Sequence, residues 1–277
     1  MPEIKKSISF IGAGNVATHL ALAFYDAGFP IGGIFSRSVA SSQLLAKRVG
    51  SHACASLEEV LQISKLVIFA IPDHALLGLT AIPVPDDVIM VHTCGALDMN
   101  VFKGHAANFG VLYPLQTFSR MIPVELKNVP FCIEASDKDS LQVIRQLASA
   151  VSATVIEIDS EQRKVLHLAA VFACNFPNSM YAMADDILKG AGLSFSLLHP
   201  LIQETARKAT IDNPWDVQTG PARRNDLPTI QTHEAMLDGM ASYKEIYTSL
   251  SNAIQLHYQA KKDQDLNDKE DKQDLYE

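Results

Sequence analysis

Apolar positions in the first half of the chain fall into short runs, and helical patterns separate them. Residues 7 to 11 form one such run, ending at Gly12, and residues 15 to 27 repeat apolar positions at helical spacing, with Val16, Leu20, Ala23 and Ala27 on one face and Gly28 as a stop. "IGGIFS" then predicts a second strand and residues 39 to 49 a second helix. Ser56, three before Glu59, marks a capping-box start for a third helix. The runs "KLVIFAI" (65 to 71) and "VIMVHT" (88 to 93) have no polar face, as expected of strands covered on both sides in a parallel sheet. "GVLYPL", "PFCIEA" and "ATVIEI" predict further strands, the last two separated by a helix over Lys138 to Val151, so the sheet is expected to extend to about residue 158. Strand alternating with helix predicts an α/β fold with a doubly wound sheet.

From Ser160 the period changes. A long helical pattern runs to Gly190 and Gly192, with Pro177 expected to kink it or to mark the meeting of two helices. Residues 196 to 209 and 229 to 260 predict more helix, and no convincing strand follows. The expected organisation is a sheet domain over residues 1–158, an all-helical domain over 159–262 and a charge-rich, solvated or frayed tail over 263–277, without internal repeats.

Composition narrows the functional classes. The 277 residues are 48% apolar and 19% charged with net charge −8, ordinary for a folded protein and against sequence-independent nucleic-acid binding, which needs a basic face. There is no signal-peptide pattern and no apolar stretch of membrane-spanning length, so a cytoplasmic protein without membrane or nucleic-acid partners is expected. The four cysteines are scattered, with no CxxC pair and no histidines at zinc spacing, so they are read as buried thiols and no metal is expected.

The candidate chemistry begins at "GAGNVA". Gly12 permits a tight turn, Gly14 lets backbone approach a diphosphate, and Ala17 lets the helix pack closely on the sheet. With Asn15 and Val16 opening the helix, its N-terminus would hold the phosphates of a dinucleotide. An NAD site carries an acidic residue about 20 residues beyond such a turn, on the ribose. Here no acidic residue occurs between Asp26 and Glu58, and Ser36, Arg37 and Ser38 end the second strand. A guanidinium there suits a 2′-phosphate, so NADP is the expected cofactor. Ile71, Pro72 and Asp73, and Thr93 and Gly95, follow later strands and should pass near it, whereas His74 and His92 read equally well as structural groups.

"ISFIGAGNVATHLA", "AIPDHAL", "VHTCGALD", "YPLQTFS", "HLAAVFACNF" and "TGPARRND" followed by "TIQTHEAML" resemble, in that order, a family of predicted short NADP-dependent oxidoreductases over nearly the whole chain. More distantly, the chain is similar to pyrroline-5-carboxylate reductase and to the 6-phosphogluconate and 3-hydroxyisobutyrate dehydrogenases. The resemblance implies a Rossmann-like domain, a 6-phosphogluconate dehydrogenase-like helical domain, a homodimer built through the helices and an active cleft between the domains. It implies hydride transfer between the nicotinamide and a small carbonyl or imine acid, with a non-catalytic NADP-binding regulator or a deazaflavin-dependent reductase as alternatives. The hydroxyacid dehydrogenases carry a lysine four residues before an asparagine, but Val171 stands four before Asn175, so that role is not transferred. The family's "TGPxxRGD"-like pattern matches at Thr219, Gly220, Pro221, Arg224 and Asp226, with Asn225 where glycine is usual.

His167, Val171, Asn175 and Asn178 fall within about 80° of one face at about 100° per residue. His167 would donate a proton and Asn175 orient a carbonyl or imine, or both are satisfied polar groups joining helices. Arg224 would clamp a substrate carboxylate, and Asp226 would hold that arginine or cap the following helix. His233 would face the same cleft or a second protomer.

Overall fold

A computed structural model describes residues 7–78, 83–120 and 122–274, with side chains as far as residue 264. The chain opens with β1 (Ile8–Ile11), α1 (Asn15–Asp26), β2 (Ile31–Phe35), α2 (Val39–Arg48), β3 (His52–Ala53), α3 (Leu57–Ile63), β4 (Leu66–Phe69), α4 (Asp73–Leu77) and β5 (Ile89–His92). There follow β6 (Asn108–Pro114), β7 (Phe131–Ala135), α5 (Lys138–Val151) and β8 (Val155–Glu157). These strands form one eight-stranded sheet in the order β3-β2-β1-β4-β5-β6-β7-β8. β1 to β6 run parallel, and β7 turns antiparallel against β6. Rossmann-like order places the carboxyl ends of β1, β2, β4, β5 and β6 along one edge, where α/β sheets bind ligands.

Alternation along each strand explains why the sheet needs cover on both faces. Ile8, Phe10, Ile68 and Val91 enter one buried cluster with Ala17, Leu20, Ala21 and Phe24 of α1. Ile11, Val67, Phe69 and Met90 enter another with Val60 and Leu76. The buried face of α1 is turned one residue from the expected one, and Ala27 is exposed. The reason is Phe24, the bulkiest apolar residue of the helix, whose ring packs at 6.5 Å from Phe10 and 6.1 Å from Phe29; burying such a ring is worth about 1.5–3 kcal/mol.

Contacts divide the chain into two compact units, Met1–Pro177 and Asn178–Glu277. The helix α6 (Ser160–Ala170) therefore packs with the sheet. Asp159 and Gln162 form a capping box at its start. A π-helical turn, Val171–Asn175, leads into α7 (Phe176–Gly190) and widens the chain immediately before Pro177, which has no amide to donate. The expected kink is thus absorbed as a π turn. α8 (His199–Ile211), the single turn α9 (Pro221–Arg224), α10 (Leu227–Met236) and α11 (Ala241–Asp274) complete the second unit. Gly239, at φ 94°, separates α10 from α11. α11 continues as helix to Asp274, through the stretch expected to be a solvated or frayed tail; Lys, Glu, Gln and Leu are good helix formers. Residues 275–277 of that tail lie outside the described residues.

Candidate functional site

The glycine turn is fixed by the strands around it. Gly12 donates its amide to the Phe35 carbonyl at 2.7 Å, tying the end of β1 to the end of β2. Its φ is +111°, and a Cβ there would lie 2.3 Å from the Ala70 carbonyl oxygen, so only glycine fits. Gly14 differs: its φ is −82°, and a Cβ would meet no heavy atom within 4 Å. No side chain caps α1, so the first amides of that helix face the open side of the turn without a side-chain acceptor.

That open side is a cavity of about 430 Å³ lined by Gly12, Gly14, Ser36, Arg37, Ser38, Ile71 and Pro72 among others. Seven of the residues expected to touch a cofactor are thereby brought together. Asn15 instead donates from Nδ2 to the Phe118 carbonyl at 2.9 Å, Val16 packs on the core and the Thr93 hydroxyl donates to the Phe69 carbonyl at 3.4 Å. Ser38 caps α2 by accepting from the Ser41 amide, and Arg37 is exposed with no hydrogen bond among the described residues. The donor set fits a dinucleotide phosphate ester: bare amides at a helix start, hydroxyls, and a cation with no carboxylate on the cavity wall.

A second cluster lies beyond the carboxyl ends of β5 and β6. The Tyr113 hydroxyl and His167 Nδ1 are 3.0 Å apart. The His167 ring covers Gly95 so closely that a Cβ on Gly95 would lie 2.4 Å from Nδ1. Burial pushes the Tyr113 phenol up to about 12, so it keeps its proton beside Nδ1. Where the phenol donates to Nδ1, the proton of a neutral imidazole lies on Nε2. Sequence reasoning found His167 but missed Tyr113, whose phenol sits in an apolar run that signals only a strand.

α6 owes its position to a buried ion pair. Arg163, 1% exposed, donates to Glu134 and, at 2.6 Å, to the Leu97 carbonyl. Ser160 donates to Glu134 at 2.8 Å and accepts from the Met99 amide at 2.9 Å. One turn of α6 is thus tied to β7 and to the segment after β5, which fixes the rotation of His167 over Gly95. His92 is also buried; its Nδ1 accepts from the Cys94 amide at 3.1 Å and its Nε2 has no partner among the described residues. It is a structural group, held down to about 3 first by desolvation and then by the Arg163 charge. His74 is exposed, while Asp73 faces the Cys94 thiol.

The remaining expectations divide. Asn175 and Asn178 are exposed, and their side chains make no hydrogen bond among the described residues; the π turn follows His167 and ends at Asn175, so the uniform helical wheel does not carry through. Cys54, Cys94 and Cys132 are buried, but Cys174 is exposed, a correction that follows from its place on the uncovered side of the π turn. His52, Cys54 and Glu59 bring ligand-type atoms within 4.8 Å of one another, a grouping the sequence spacing did not suggest. There burial pushes the Cys54 thiol up to about 11, away from the thiolate a metal needs, and Glu59 accepts from the Ala55 amide at 2.6 Å.

In the second unit, Arg224 lies 3.6 Å from Asp226, which also caps α10 by accepting from the Thr229 amide and hydroxyl at 3.3 and 2.9 Å. Thr229, above all, and Arg224 hold that carboxyl below its usual range. Both roles proposed for Asp226 therefore occur together. Asn225 has φ 54° in the left-handed region, which explains the family's glycine here: Asn is among the few side chains that tolerate it, and its Oδ1 accepts from Gln255 at 2.7 Å. His233 bonds Tyr247 at 2.9 Å within the same unit. A cavity of about 320 Å³ among Met183, Ile187, Tyr243, Tyr247, Pro221 and their neighbours is almost wholly apolar.

Fold and turn together define a Rossmann-like α/β protein with a helical C-terminal unit. Residues 2–116 match the model of a Rossmann-like domain, and residues 129–254 match that of a domain of unknown function, DUF2520. A crystal structure of a proposed NADP oxidoreductase from Bacteroides fragilis is 43% identical, covers 91% of this chain and 98% of its own, and superposes with a TM-score of 0.85. This chain belongs to the family that joins those two domains. A Thermotoga maritima protein shares 22% identity at a TM-score of 0.65, with 92% of this chain and 99% of that one covered. A reductive aminase from Aspergillus terreus, solved with NADPH and ethyl levulinate, shares the fold at 16% identity, with a TM-score of 0.70 over 92% of this chain and 94% of that one. A search of curated proteins returns no match. Among the described residues no helix is long and apolar enough to cross a membrane.

Proposed function

We propose that this protein is an NADP-dependent oxidoreductase acting on a small carbonyl or imine acid. The observation that carries this reading is the single cavity in which the open side of Gly14 and the unpartnered Arg37 face the same space. The first amides of α1 hold a diphosphate there, and Ser36, Arg37 and Ser38 meet the adenosine ribose and its 2′-phosphate. The 43% identical relative described as an NADP oxidoreductase supports the same cofactor. When bound, the nicotinamide supplies or accepts the hydride.

The chain's own residues provide a proton and orientation. Tyr113 donates to Nδ1, the His167 nitrogen that lies against Gly95, so that Nε2 holds the proton delivered to the substrate's oxygen or nitrogen. Arg224, held by Asp226, is the candidate grip for the substrate's carboxylate, and Asn175 a candidate hydrogen-bond donor to its carbonyl or imine. Titration of NADPH by its fluorescence tests the first step, and its oxidation with a panel of keto acids and cyclic imines tests the second. Loss of turnover in Arg224→Ala and His167→Ala with binding retained supports the assignment; tight binding without turnover on any compound overturns it in favour of an NADP-binding regulator, the alternative that Val171 at the dehydrogenases' lysine position favours.

The working unit in this reading is a homodimer. α7 and α8 bury no residue, and Ile187, Leu197 and Leu201 of the second unit stay exposed, apolar positions that a second chain would cover. Light scattering that gives the mass of a single chain would refute this.

A further inference from the structure

A second guanidinium reaches the cofactor cavity from another part of the chain. The segment after β6, residues 115–120, is moored on the glycine turn and α1. Phe118 offers its carbonyl to Asn15, the Ser119 carbonyl lies 2.9 Å from His19 Nε2, and the His19 and Phe118 rings stand 5.1 Å apart. Arg120 completes the mooring by donating from Nη2 to the Ala13 carbonyl at 2.6 Å. That single bond leaves the rest of its fork of donors without an acceptor among the described residues.

Two observations set what Arg120 addresses. Arg120 lines the 430 Å³ cavity together with Arg37, Ser38 and Ser41, and with Ser41 and Arg48 it also lines an adjoining one of about 210 Å³. Its position is therefore beside the start of α2. Ala13, its anchor, follows the glycine whose amide is tied to the last residue of β2, so Arg120 stands at the ribose end of the turn. Neither cavity has a carboxylate in its wall, and neither Arg37 nor Arg120 takes part in an ion pair among the described residues. Two exposed cations that line one cavity with serine hydroxyls and no carboxylate suit a dianionic monoester.

We propose that Arg120 and Arg37 form a two-armed clamp on the 2′-phosphate, so that preference for NADP over NAD is divided between the strand-end loop and the segment after β6. This rests on the NADP reading above and adds to it a residue that no dinucleotide motif contains.

The test is titration of NADPH and NADH, with 2′,5′-ADP as competitor, into wild type, Arg37→Ala, Arg120→Ala and Arg120→Gln. The last variant keeps an amide donor for Ala13 and loses the charge, which separates the clamp from the mooring. Each substitution is expected to weaken NADPH and 2′,5′-ADP by roughly 10- to 100-fold, the value of one charge-assisted contact, and to leave NADH unchanged. Arg120→Gln that binds NADPH like wild type, or that loses NADPH and NADH by the same factor, overturns the clamp while the NADP reading stands. Wild type that binds neither coenzyme overturns both.

Discussion

Substituting the two glycines of the turn separates what folding needs from what the cofactor needs. In Gly12→Ala the new methyl would lie 2.3 Å from the Ala70 carbonyl oxygen, and the residue would keep a φ of +111°. A left-handed conformation costs a non-glycine residue about 1–3 kcal/mol, and overlap with backbone that cannot turn aside adds about 1–3 kcal/mol more. At roughly 2–4 °C per kcal/mol for a unit of this size, the melting temperature should fall by about 5–20 °C. Gly14→Ala meets nothing within 4 Å at a φ of −82°, so its stability should stay within about 1 kcal/mol of wild type. Its methyl occupies the space reserved for the diphosphate, so NADPH affinity should fall at least about tenfold, equivalent to 1.4 kcal/mol. Thermal melting and NADPH fluorescence titration on the two variants measure both effects. Gly14→Ala that melts and binds like wild type would mean that the open side of the turn serves no ligand.

Other substitutions test the remaining parts of the site. His167→Ala should lower turnover by about 10²–10⁴-fold, the usual value of a general acid, with NADPH affinity unchanged, and Tyr113→Phe should shift the pH profile of turnover by freeing Nδ1; stopped-flow oxidation of NADPH checks both. Glu134→Ala leaves the Arg163 charge buried and unpaired and should cost about 3–5 kcal/mol in denaturant unfolding. His92 gives an acid dependence whose sign follows from its depressed value: the unfolded chain takes up a proton near 6.5, the folded one only near 3, so stability is full above about 6.5 and falls as pH drops between them, by up to about 1.4 kcal/mol per pH unit. His92→Asn, which keeps an acceptor for the Cys94 amide, should flatten that slope in unfolding midpoints measured from pH 7 to pH 4.

Much of the fold was legible because local signals and tertiary demands agree. Two-sided strands such as Leu66–Phe69 read as apolar runs because both faces are buried, and the glycine turn read as a turn because Gly12 can be nothing else. The π turn was not legible, since hydrogen-bond register before Pro177 is settled by how the ring is accommodated rather than by residue type. Nor was the site's second half. Tyr113 is paired with His167 across 54 positions, and Arg120 with Ala13 across 107, contacts that sheet order alone creates. Asn225 looked like a departure from a glycine pattern and turns out to satisfy the same left-handed backbone.

Bare amides at the start of α1 and a guanidinium beyond β2 are proposed to hold a 2′-phosphorylated dinucleotide. Calorimetric titration of the wild-type protein with NADPH and then NADH measures this directly. Saturable binding of NADPH is expected, with NADH at least about tenfold weaker; equal affinity for the two, or heat from neither, would rule that site out.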